Sequence, residues 1–122
     1  MRVLIVENNP QLSALWGRHI ARLGHEVETA ATESATLAAL EGPPFAVVVL
    51  DVMLPQGPST ALADLLAYRS PQTRVILVTS GSFFSDGAIL RHIPNAAALI
   101  TDQSRPEDLA VLVDWHGRRH GG

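Results

Sequence analysis

Five short runs rich in β-branched residues recur along the chain, at Val3–Val6, Val27–Thr29, Val47–Leu50, Arg74–Thr79 and Ala98–Thr101, and helical periodicity fills the stretches between them. The third and fourth runs are almost continuously apolar rather than alternating. Strands buried on both faces have that pattern, and a parallel sheet is where such strands occur. Parallel neighbours need a crossover, and the intervening stretches are long enough for one helix each. The pattern therefore predicts an α/β fold: a doubly wound, five-stranded parallel sheet with helices on both faces.

The helix signals agree. Asn9 followed by Pro10 offers an N-cap and a proline at the first helical position, and Gly24 ends the apolar spacing that runs through Leu12, Leu15, Trp16, Ile20 and Leu23. A second helix starts at Thr32 and stops before Gly42. A third spans about Ser59 to Tyr68, and a short fourth about Asp86 to His92. Ser104 with Glu107 reads as a capping box for the last. We expect residues 1–116 to form one domain and 117–122 a flexible C-terminal tail.

Composition narrows the function. The 122 residues carry a net charge of -3, with no cysteine and no lysine; all nine basic residues are arginine. This excludes disulfides, thiolate metal sites, P-loop lysines and Schiff-base chemistry. No basic stripe suits nucleic acid, no histidine pair has zinc spacing, and no apolar stretch approaches the ~20 residues of a membrane helix. Neither a nucleic-acid nor a membrane partner is expected, and the opening MRVLIVENN lacks the pattern of a signal peptide. A cytoplasmic location is the expectation.

A parallel sheet delivers every strand's C-terminal end to one edge, where open α/β folds build their sites. That edge collects Glu7, Asn8 and Asn9, then Asp51, then Thr79, Ser80 and Gly81, then Thr101 and Asp102. Carboxylates with hydroxyls suit a hard cation or a phosphoryl group. If Glu7, Asp51 and Asp102 converge, their mutual repulsion should raise at least one pKa.

The segments VLIVENN, VVVLDVMLP, VILVTSG and LITDQSRPEDL, which carry these residues, resemble the response-regulator receiver domain of two-component signalling across nearly the whole chain. The resemblance implies a flavodoxin-like strand order 2-1-3-4-5, and that Asp51 is the phosphoacceptor, charged by a histidine kinase, a phosphotransfer protein or a small phosphodonor. It implies magnesium held by Glu7, Asn8, Asp51 and the backbone carbonyl of Met53. Thr79 matches the switch hydroxyl, Ser80 the small residue beside it, and Leu99 the second switch position. The family docks a downstream protein target, or a second copy, on its helix 4–strand 5–helix 5 face, where Arg91, Val111 and Trp115 stand here.

Three positions depart from the family pattern. Asn8 replaces the second acid of the cation pair, Asp102 stands where a lysine pairs with the phosphoryl group, and Leu99 replaces an aromatic ring. Serine also stands at Ser59, eight residues after the acceptor, where glycine is common. We therefore read a degenerate receiver with weak magnesium binding and weak or absent phosphorylation. We read it as a single-domain module, not an enzyme, that signals through protein contacts. The alternative is a conventional phosphorylatable receiver in which Arg105 substitutes for the lysine. A small-ligand-binding or enzymatic flavodoxin-like protein has less support, because ENNP follows the first strand in place of GxGxxG.

Overall fold

The computed structural model describes residues 1–54, 57–79 and 94–121. Strands β1 (Arg2–Val6), β2 (Glu26–Ala30), β3 (Val47–Asp51), β6 (Arg74–Thr79) and β7 (Ala96–Thr101) form one parallel sheet in the order β2-β1-β3-β6-β7. Counting the long strands alone, this is the expected 2-1-3-4-5. Two short strands were not expected: β4 (Met53–Leu54) and β5 (Gly57–Pro58) pair antiparallel directly after β3. Gly57 has φ 126°, a conformation that a side chain would strain, and so lets the chain turn back there.

Helices α1 (Pro10–Ala21) and α4 (Pro106–Gly121) cover one face of the sheet, and α2 (Glu33–Ala39) and α3 (Thr60–Arg69) cover the other. Successive strand side chains point to opposite faces, so one face collects Val3, Ile5, Val47, Val49, Ile76 and Val78 against Trp16, Ile20, Leu109 and Val113. The other collects Leu4, Val6, Val48, Leu50, Val75 and Leu77 against Leu62 and Leu66. The central strands are thus buried on both sides, as their unbroken apolar runs require. β2 is an edge and alternates charge outward. Arg2 bonds Glu28 at 2.7 Å and Glu26 at 3.4 Å, which puts charged side chains along a rim that would otherwise invite another strand.

The starts of α1 and α2 follow the expected caps. Asn9 Oδ1 accepts from the backbone N–H groups of Gln11 (3.0 Å) and Leu12 (3.1 Å), with Pro10 opening the helix. Thr32 Oγ1 accepts from Ala35 N–H at 3.1 Å. One expectation needs correction. The Ser104–Glu107 capping box does not start α4: the helix opens at Pro106, its first carbonyl acceptor is Arg105, and the Glu107 carboxylate accepts from Arg105 Nε instead. Proline at the first helical position moved the start one residue on. Helix α4 is assigned to Gly121, with Gly117 buried against Met1 and Val47. The expected helix Asp86–His92 lies outside the described residues.

The two-faced core makes the fold testable. Leu66 is fully buried in the α2–α3 layer, whereas Tyr68, two residues on, is 86% exposed. Leu66→Ala should cost about 2–5 kcal/mol and Tyr68→Ala no more than about 0.5 kcal/mol, read from urea unfolding midpoints at unchanged slope.

Candidate phosphoacceptor site at the carboxyl edge of the sheet

Asp51 closes β3 and stands half-buried at the centre of the carboxyl edge. Its Oδ1 accepts from Met53 N–H at 3.0 Å, which fixes the carboxylate over the turn into β4. Behind it, Ser59 Oγ donates to the Asp51 carbonyl at 2.6 Å, and Ser59 N–H donates to the Val52 carbonyl at 2.9 Å. The start of α3 is thereby tied to the acceptor strand. The sequence marked Ser59 only as a departure from glycine; a hydroxyl eight residues past the acceptor was the available signal for this contact.

Glu7 is buried at the end of β1 and its Oε2 accepts from Asn9 N–H at 2.9 Å. Its carboxyl also shares a hydrogen bond with Asp51 that favours the proton on Glu7 and the charge on Asp51. Burial is the main cause that pushes Glu7 up to about 7 from its ordinary 4.5, and the neighbouring Asp51 charge adds to it. Asp51 is raised as well, first by burial; the N–H of Met53 and the Glu7 hydrogen bond oppose the rise, and the Asp102 carboxylate adds to it. Asp51 thus feels both Glu7 and Asp102, Glu7 is coupled to Asp51, and desolvation outweighs repulsion as the leading cause of both rises.

Asn8 is exposed in the loop beyond β1. Asp102 is half-buried; its backbone N–H donates to the Thr79 carbonyl at 2.9 Å, which joins the ends of β6 and β7. Thr79 is buried, and its hydroxyl has no hydrogen-bond partner among the described residues. Leu99 packs against the α2–α3 core layer. Arg105 does not join the cluster: it is exposed, with Nε 3.1 Å from Glu107 Oε1 and 3.8 Å from Asp108 Oδ2. Val111 and Trp115 are 62% and 51% exposed on α4, the Trp115 ring edge-on to His116. Ser80 and Arg91 lie outside the described residues. His25 is buried with Nε2 2.8 Å from Asp114 Oδ1, a pair that no local pattern marks because its partners are 89 residues apart.

Two facing carboxyls that resist ionising, beside the chain at Met53, are hard oxygen donors and fit a divalent cation in kind. The fit is reduced by Asn8, which brings a neutral amide where a second anionic ligand would raise affinity. Among the described residues no group of three His, Cys, Asp or Glu side chains is placed to hold a metal.

A raised carboxyl pKa has a definite sign. Between about pH 4.5 and 7 the folded state keeps a proton on Glu7 that the unfolded chain has released, so stability falls as pH rises through this window. The contribution is complete below pH 4.5 and gone above about 7, a loss on the order of 3 kcal/mol to which the raised Asp51 adds in the same direction. Urea midpoints measured across this window without divalent cations should fall in the wild type and stay nearly level in Glu7→Gln. Equal slopes in both would refute the assignment.

Comparison with known proteins agrees with this geometry. The family model for the response regulator receiver domain matches residues 3–109. The chain is 34% identical over 86 residues to the transcriptional regulatory protein TcrA of Mycobacterium tuberculosis (strain H37Rv); the match covers 70% of this chain and 34% of that protein, so the chain spans about a third of that relative's length. A receiver domain protein (CheY-like) from Methanospirillum hungatei JF-1 superposes with a TM-score of 0.88 at 25% identity, covering 98% of this chain and 95% of that one. The BeF3-activated DrrB receiver domain gives 0.84 at 26% identity, covering 97% of each chain. The chain belongs to the response-regulator receiver domain family of two-component signalling.

Proposed function

We propose that this receiver works as a protein-interaction module whose phosphoryl switch is weakened, with Asp51 retained as acceptor. The observation that carries this reading is the Asp102 carboxylate, which raises the Asp51 pKa from the position where the resemblance calls for a lysine. Phosphoryl transfer forms a bond from an Asp51 carboxylate oxygen to phosphorus as the bond from phosphorus to the donor breaks, to a histidine nitrogen of a kinase or phosphotransfer protein or to the carboxylate oxygen of acetyl phosphate; the product adds negative charge beside Asp51. A lysine there lowers the energy of that charge, and an aspartate raises it. The difference between attraction and repulsion at contact distance is at least about 1–4 kcal/mol.

Arg105 supports the weakened reading rather than a substitution for lysine, since its guanidinium is engaged with Glu107 and Asp108 at the start of α4. Glu7, Asp51 and the Met53 carbonyl would hold magnesium, with Asn8 as a neutral ligand. The ion, when bound, supplies positive charge against the phosphoryl oxygens. The chain's own contributions are the charge on Asp51, kept by the proton on Glu7 and the Met53 N–H, and the buried Thr79 hydroxyl. With no aromatic ring at Leu99, the second switch element lacks its usual lever. Partners of the family's kind, a histidine kinase or phosphotransfer protein upstream and a protein target or second copy downstream, fit a cytoplasmic module. The exposed Val111 and Trp115 on α4 belong to the docking face in this reading.

Labelling by acetyl phosphate with magnesium tests the proposal. Wild type should label slowly and Asp51→Asn not at all. Asn8→Asp restores an anionic cation ligand and Asp102→Lys a cation toward the phosphoryl oxygens. At ~1–3 kcal/mol each, the double variant should gain about 100-fold in rate over wild type. Stoichiometric Asp51-dependent labelling of wild type within minutes would overturn the reading.

A further inference from the structure

At the opposite edge of the sheet from Asp51, where β1, β3 and β6 begin, the structure holds a cavity of about 630 Å³. Its size falls within the roughly 300–1,000 Å³ of small-molecule sites. Buried Phe45 and the rings of Pro44 and Pro71 give it an apolar lining, and among the described residues its charged lining is Arg2 and Arg69, with no acidic side chain. The walls are fixed. Thr73 Oγ1 donates to the Phe45 carbonyl at 2.7 Å, and Asn95 Nδ2 donates to the Thr73 carbonyl at 2.8 Å.

The two arginines differ. The Arg2 guanidinium lies 4.5 Å over the Phe45 ring, with its terminal nitrogens turned to Glu28, Glu26 and the Pro43 carbonyl. Its Nε is shielded from solvent and has no acceptor among the described residues. Arg69 is exposed at the end of α3 and forms no ion pair among the described residues. An apolar body carrying one anionic group suits this lining: the body packs on Phe45 and the prolines, and the anion pairs with Arg69.

We propose that this cavity is a binding site for a small organic anion, an aromatic or aliphatic body bearing a single carboxylate, sulfonate or phosphate group. The glutamates largely neutralise Arg2, so the charge selectivity rests on Arg69.

The probe is 1-anilinonaphthalene-8-sulfonate, titrated by fluorescence into the folded full chain and mapped by amide chemical shifts, with neutral N-phenyl-1-naphthylamine beside it. The sulfonate should bind saturably, one to one, and shift the amides of Phe45, Ala46, Ser70 and Thr73. Arg69→Gln should weaken it about tenfold, the loss of one charge-assisted contact, while changing the neutral probe's affinity less than about twofold. Ser70→Trp, which fills the cavity from its rim, should abolish binding of both probes; unchanged urea midpoints in the two variants separate loss of the site from loss of the fold. Unsaturable binding, equal affinity in Arg69→Gln, or shifts confined to the Asp51 edge or the exposed face of α4 would overturn the proposal.

Discussion

The parallel ladder of β1, β3 and β6 is the constraint from which the rest of this molecule follows. Each of these strands is flanked by hydrogen-bonded neighbours and covered on both faces, so its side chains must be apolar in both directions; Val3–Val6, Val47–Leu50 and Val75–Val78 are all buried. A parallel ladder also gives every strand the same polarity. The chain changes from wholly apolar to polar at one edge, and Glu7, Asp51 and Thr79 are the residues at which β1, β3 and β6 make that change. The acid cluster is thus a consequence of strand direction before it is a feature of chemistry.

Strand direction separates two chemically opposite edges. The carboxyl edge gathers acids that burial keeps reluctant to ionise. The amino edge carries Arg2 and Arg69 around an apolar hollow. The same strand, β3, runs from Val47 beside one to Asp51 at the other, five residues in nearly full extension. Rigid, doubly covered strands of this kind hold both ends in place, and the loops that follow or precede them complete each edge.

Much of this was legible in the residues. Asn9-Pro10, Gly24 and Thr32 act through local hydrogen bonds and dihedral preferences, and each stood where the chain's spacing put it. The strand order followed from the apolar runs and the resemblance together. What escaped notice was non-local or depended on competition between neighbours. The His25–Asp114 pair joins the turn before β2 to α4 and leaves no periodic trace. The capping box at Ser104 lost to Pro106, because two start signals overlapped and proline's fixed φ prevailed. The β4–β5 hairpin depends on a single positive-φ glycine within a stretch too short to show alternation. At the site itself, the identities and grouping of Glu7, Asp51 and Asp102 were readable, but the dominance of burial over repulsion was not, since depth is a property of the packed layers rather than of the sequence.

That dominance changes how the altered site should be understood. Two buried carboxyls can be neutralised by a proton or by a cation, and the two compete for the same oxygens. Glu7, at about 7, sits where the proton is still partly held at neutral pH, and a cation must displace it. Replacing an acid by Asn8 takes away charge that would favour the cation, whereas Asp102 adds charge that favours either neutralising partner while opposing a phosphoryl group. The substitutions therefore do not simply weaken one switch. In the function proposed above, they set a proton against a cation at Glu7 and Asp51, so that the paired carboxyls are neutralised without a phosphoryl group.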